Sequence, residues 1–168
     1  MKRNILTAVL LLLCGSFVAC NEWEQPEDLG TPPVLVSEDV SAFFKKHLPS
    51  SSYSSPEPSF NFGKIGFDDK ECFLINSMEE FEAVAPPSVE LPVIDFERHT
   101  LIIGQHWLGS PGFTLVEQAI DSEPDEMELN LVYRATGGAS PTVMTVFYFW
   151  GLYAKLPEKT VKVDIKII

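Results

Sequence analysis

Cysteine and histidine are the residue types here best suited to act as nucleophile, base or metal ligand, and the chain has three of each. Cys72 sits in the apolar run Glu71-Cys-Phe-Leu-Ile75. One reading makes it a catalytic thiolate paired with His99 or His106. That chemistry needs a cation or a helix N-terminus to lower the thiol pKa, and the flanking residues provide neither. The other reading makes Cys72 a small buried hydrophobe in a strand. His99 and His106 are an odd number of residues apart, which on a strand puts them on opposite faces and argues against shared metal ligation. His47 falls on the apolar side of a helical pattern. The chain carries no His-Glu-x-x-His zinc motif and no Gly-x-Ser-x-Gly elbow. Gly137-Gly138 lacks the Lys and helix of a phosphate loop and reads as a hairpin-type loop. Asp125 and Glu126 sit in a turn, where carboxylates need no catalytic role. The expectation is a protein that is not an enzyme, with no metal and no cofactor.

A second cysteine of interest is Cys20. Lys2 and Arg3 open the chain, and Ile5–Leu13 is apolar apart from Thr7. Such a run is shorter than the roughly 20 residues a membrane span requires and suits the core of a secretory signal. Its ending, Phe17-Val-Ala-Cys20, resembles the lipobox of bacterial lipoproteins, with Phe17 in place of the usual Leu. The resemblance implies a diacylglyceryl group on the Cys20 thiol and cleavage just before it, so that residues 1–19 are a signal peptide. Cys14 would leave with the signal, and Cys72 alone would remain, with no internal disulfide. Each buried CH₂ contributes ~0.8 kcal/mol, so two or three acyl chains (palmitate among them) hold durably where one does not.

Charge narrows the partners. The chain has 12 Lys+Arg against 24 Asp+Glu and a net charge of −12. Losing Lys2 and Arg3 with the signal would take it to −14. A body this acidic is unsuited to nucleic acid, which is held by clustered Lys and Arg. It should stand off an anionic membrane surface. Asn21 replaces the Asp that favours inner-membrane retention in enterobacterial lipoproteins. Glu22, Glu24, Glu27 and Asp28 resemble the surface-export signal of Bacteroidota lipoproteins, or form a plain solvated linker. An outer-membrane lipoprotein is expected, periplasmic or surface-exposed, with the membrane as partner through its N-terminal lipid.

The elements that position these residues follow from patterning. Residues 20–36 hold Pro26, Pro32, Pro33, Gly30 and several acids, and read as a tether with little structure. Ser37 caps a helix near 38–48, where Val40, Phe43, Phe44, His47 and Leu48 recur at helical spacing. Residues 49–59 read as a Ser/Pro loop. Phe60–Ile75 holds one or two strands with a turn at 68–70. Ser77-Met-Glu-Glu80 is a capping box that starts a short helix through Val84, stopped by Pro86-Pro87. Beyond it, 101–107, 113–120, 127–134, 142–149 and 161–167 read as strands. Met127, Leu129, Leu131 and Tyr133 alternate with polar residues, as do Val161, Val163, Ile165 and Ile167. The run 142–149 is apolar on both faces, which suggests a central strand. The expected class is α+β: a mainly antiparallel β meander, or a sandwich-like C-terminal region, with two short N-terminal helices. Residues 37–168 form one globular domain.

Within it, Leu91-Pro-Val-Ile-Asp-Phe96, Leu101-Ile-Ile-Gly104 and Gly109-Ser-Pro-Gly-Phe113 are similar to the C-terminal domain of protease complex subunit PrcB-like proteins. Tyr153-Ala-Lys-Leu-Pro157 with Val161-Lys-Val163 resembles that family's closing step, and the likeness spans about 77–168. The family's Thr-Gly-Gly-Tyr is here Ser110-Pro111-Gly112-Phe113, and Pro111 removes a backbone donor from the turn. The resemblance implies a non-catalytic accessory module. A weaker likeness, in Gly109–Phe113, Thr136-Gly-Gly-Ala-Ser-Pro141 and Trp150-Gly151, is to chagasin-type cysteine peptidase inhibitors. Their Arg-Pro-Trp-type motif is incomplete here, because no Arg precedes Trp150.

Trp107 and Trp150 are read as ending strands beside glycine turns, where they would meet at one rim. The candidate binding residues are Trp107, Ser110, Pro111, Gly112, Phe113 and Trp150, and Cys20 is the lipidation site. The leading expectation is a non-enzymatic envelope module binding a protein or glycan through loops 108–113 and 136–141. The alternative is a peptidase inhibitor, and a hydrolase comes third.

Overall fold

The computed structural model describes residues 29–51, 60, 71–109, 112–122, 126–136 and 144–168. Cys20, Ser110, Pro111, most of loop 136–141 and the turn at 68–70 lie outside the described residues. The described residues form two helices and six strands, an α+β arrangement.

Helix α1 is Glu38–His47. The Ser37 hydroxyl accepts from the Val40 N–H at 3.4 Å. Glu38 and Asp39 lie in the first turn and Lys45, Lys46 and His47 in the last, each sign complementing the helix dipole. Strand β1 is Glu71–Ile75, and α2 is Met78–Val84. The α2 start is the expected reciprocal cap: Glu80 N–H donates to the Ser77 hydroxyl at 3.2 Å, and the Glu80 carboxylate accepts from the Asn76 N–H at 2.6 Å. Because α2 lies between β1 and the next strand, the helices do not both precede the sheet as expected.

Four longer strands and one shorter one follow: β2 His99–Leu108, β3 Phe113–Ser122, β4 Met127–Ala135, β5 Thr145–Ala154 and β6 Val161–Ile167. They do not make a meander. One sheet has the order β1-β2-β5 and the other β3-β4-β6. The first is antiparallel throughout, whereas β6 runs parallel to β4, pairing Met127 with Val161 and Tyr133 with Ile167. The direction of travel explains this. Met127, which opens β4, pairs with Val161, which opens β6, so both strands set out from the same end.

Alternation along β2 and β5 builds two cores on the two faces of one sheet. Leu101 and Ile103 of β2, with Val146, Tyr148 and Leu152 of β5, pack against Val40, Phe43, Phe44, Phe81 and Val84 of the helices. Ile102 and Leu108, with Phe147, Phe149 and Tyr153, pack against Met127, Leu129, Leu131, Tyr133 and Val163 of the second sheet. The double-sided apolar run of β5 is therefore correct as a sign of two covered faces. It is not a sign of a central strand, because β5 is the edge of its ladder and β2 is the centre.

The structure also gives residues 29–36 a part that a loose tether would not have. Gly30 has a φ of +97°, and a Cβ there would strike the Ile120 carbonyl, so glycine is required for the approach. Thr31 then exchanges both backbone bonds with Ile120 at 2.8 Å. Three residues on, Val34 N–H donates to the Leu152 carbonyl at 2.7 Å. Behind it, the Leu29 carbonyl accepts from Asn130 Nδ2 at 3.1 Å. One short segment thus joins the edge of the second sheet to the edge of the first.

Candidate functional site

Between the facing edges of β3 and β5 lies a cavity of about 390 Å³. Strand β3 contributes Phe113, Thr114, Leu115 and Gln118. Strand β5 contributes Phe147, Tyr148, Phe149 and Trp150, while Tyr133, Leu48 and Ser50 complete the wall. No lining side chain is charged. Phe113 meets Phe147 edge-on at 6.3 Å, and Tyr133 meets Phe147 edge-on at 5.6 Å, both favourable aromatic geometries.

Gln118 sets the floor. Its Nε2 donates to the Trp150 carbonyl at 2.7 Å, a side-chain bond from one sheet to the edge of the other. Among the described residues, Gln118 Oε1 and the Tyr133 hydroxyl are buried with no hydrogen-bond partner. Burial pushes the Tyr133 phenol well above its ordinary pKa, so the cavity wall is uncharged across the physiological range. Tyr153, deeper between the sheets, is pushed up by burial and then by the nearby Cys72.

The sequence candidates are dispersed in an informative way. Phe113 and Trp150 both line the cavity. Trp150 does not end a strand, because β5 continues through Gly151 to Ala154. Its ring stacks on Phe44 at 4.3 Å and 15°, which fixes it against α1. Trp107 pairs with Val146, and Trp150 pairs with Ile103. Four residues of β5 therefore separate the two sites, roughly 13 Å at strand rise. The tryptophans do not meet at one rim, and both pack half-buried against the helix-side core. Gly112 accepts at its carbonyl from Thr136 N–H at 2.8 Å, which closes the β3–β4 ladder beside Phe113.

The residues of the catalytic reading are held apart. His99 is at the start of β2, with Nδ1 3.1 Å from the Asp95 carbonyl oxygen. His106 is fully buried between the sheets on the other face, 4.8 Å from the Tyr133 ring and stacked on Phe147. Cys72 is half-buried opposite Gly104, whose missing side chain leaves room for the Phe149 ring. His47 packs on Phe43 at 4.9 Å, and its pKa is lowered by desolvation and by Lys46. Glu126 is ion-paired to Lys162 at 3.8 Å. Among the described residues, no group of three or more His, Cys, Asp or Glu side chains is placed to hold a metal ion. Nor is any helix among them long and apolar enough to cross a membrane.

Sequence reasoning missed Gln118 and the cavity. The available signal was a polar amide at an interior position of an otherwise readable strand. No family model, curated protein or solved structure matches this chain.

Proposed function

We propose that this chain is a lipid-anchored envelope protein without a catalytic role, held through Cys20, whose body binds another envelope macromolecule. The location is the outer membrane, on the periplasmic or the surface side. The Phe17-Val-Ala-Cys20 ending supports the anchor, and the net charge of −12 supports a body that stands off the lipid surface. In this reading the two stacked sheets form a sandwich-like body, and the PrcB-like motifs point to an accessory module. The binding surface takes in loops 108–113 and 136–141, with Trp107, Ser110, Pro111, Gly112, Phe113 and Trp150 as its candidate residues.

The observation that carries the binding role is the cavity. Phe113 and Trp150, far apart in sequence, line one uncharged, aromatic-rich recess with a few polar groups. Recesses of that kind are where proteins take ligands. Its position suits a tethered protein. The N-terminal segment joins the body at Ile120, seven residues along β3 from Phe113, or roughly 23 Å at strand rise. The tether therefore enters away from the end that would present the site.

Photo-crosslinking in cells tests this. A benzoylphenylalanine replacing the exposed Thr114 should give a discrete adduct with another envelope component. The same group at exposed Glu126, at the far end of the sheet, should give none. No adduct at the Thr114 position, or equal adducts at both, rejects the proposal.

A further inference from the structure

We propose that the outer edge of β3 over residues 114–118 is a docking site for an extended, apolar and basic peptide segment, whose apolar side chain enters the adjoining cavity. The inference rests on the binding reading above and names its partner.

The chain covers the facing edges of its two sheets with unusual selectivity. On β5, Tyr148 N–H donates to the Ser50 carbonyl at 3.1 Å, Ser51 bridges Phe147, and the Leu152 carbonyl takes the Val34 N–H. The Trp150 carbonyl, between them, is taken by Gln118. On β3, Thr31 bonds Ile120 and goes no further. Gln118 is two residues from Ile120, so its backbone N–H and C=O point to the same side. Among the described residues, nothing but β4 bonds the backbone of 114–118. Among the described residues, those stretches of edge are closed and 114–118 is open, and it borders the cavity.

The β3 register shifts at a bulge between Leu115 and Glu117, so an added strand would have to bend with it. On either side of the bulge the unpaired edge offers main-chain donors and acceptors that an extended polypeptide matches and a glycan does not. Thr31 already uses the same edge in this way, so an added strand would continue a pairing the fold has begun. Alternate side chains of that strand would face the aromatic recess. Those on the other face would pass exposed Glu117 on a chain of net charge −12, which favours Lys or Arg there and disfavours acids.

The probe is a capped Lys-Val-Lys-Phe-Lys-Val peptide added to the full chain in detergent micelles, read by amide hydrogen exchange. Exchange across 114–118 should slow about tenfold with peptide at ten times its Kd, because exchange then requires release. Alternate N-methylation of the peptide should abolish the effect, as should replacing its Lys with Glu. All the changes are made in the peptide, so no outcome depends on a variant that fails to fold. Unchanged exchange at millimolar peptide overturns the inference, as does equal binding by the N-methylated peptide. Protection that rises with protein concentration alone would give the edge to a second copy and also overturn it. A crosslink from the Thr114 position to a non-protein component would leave the binding reading intact and remove this one.

Discussion

Gln118 reaches across the gap between the two sheets and donates from Nε2 to the Trp150 carbonyl at 2.7 Å. The contact is possible because the next residue on β5 is glycine. A Cβ at Gly151 would collide with Gln118 Nε2 and come within 2.9 Å of the Tyr153 ring. One amide and one missing methyl group thus set the spacing of the cavity floor.

Both halves of that contact are testable together. Gln118→Ala should cost about 1–3 kcal/mol by leaving the Trp150 carbonyl without its partner. Gly151→Ala should cost about 1–3 kcal/mol by overpacking. The double variant should cost less than the two combined, since shortening Gln118 removes the atom that the new methyl meets. Urea midpoints of the four proteins measure this, and strict additivity would falsify the coupling.

Thr31→Pro should destabilise the folded body and speed amide exchange at Ile120. Proline removes the N–H that donates to the Ile120 carbonyl at 2.8 Å. A loss of about 1–3 kcal/mol is expected for the orphaned acceptor and the disturbed bridge. If residues 29–36 were only a linker, stability and exchange would not change.

Stability should fall on the alkaline side before the buried tyrosines ionise in the native state. The phenols of Tyr133 and Tyr153 are raised by burial above an ordinary value of 10.0. The unfolded chain therefore loses these protons first. Stability is intact below about pH 10 and declines as pH rises beyond it, since the native state then binds more protons than the unfolded state. Tyrosinate absorbance followed against pH should show two late phenols that appear together with unfolding. Tyr153→Phe should move the alkaline midpoint upward, and early titration of both phenols would contradict the burial.

Cys20→Ala should release the protein into the aqueous phase of a detergent phase separation. Native material should carry the added mass of a glycerolipid on its first residue. Each acyl CH₂ contributes ~0.8 kcal/mol to membrane retention, so loss of the lipid should abolish retention rather than weaken it. An unmodified native mass would remove the anchor from the proposed function.

The local elements were legible because their causes are local. Ser37 and Ser77 each stand before acidic residues, and both cap helices at the expected places. The alternation of Met127, Leu129, Leu131 and Tyr133 marked the buried face of β4. Gly151 misled, because a glycine after Trp150 reads as a turn. Here it lies inside β5, where the tight approach of Gln118 leaves no space for a side chain. The stretch around Pro32 and Pro33 misled in the same way. Its prolines leave the N–H of Thr31 and of Val34 free, and those are the groups that bond the sheets.

Residue order alone determined the two capped helices, the faces of the strands and the acidic character of the chain. Each depends on neighbours within a few positions. The tertiary structure decided which strands share a sheet, that β6 runs parallel to β4, and that Phe113 and Trp150 line a common recess. Those outcomes depend on which apolar faces find one another across long stretches of chain, and on whether single positions such as Gly30 and Gly151 admit a neighbour's approach. Periodicity reports which side of a strand is buried, but it is silent on what buries it.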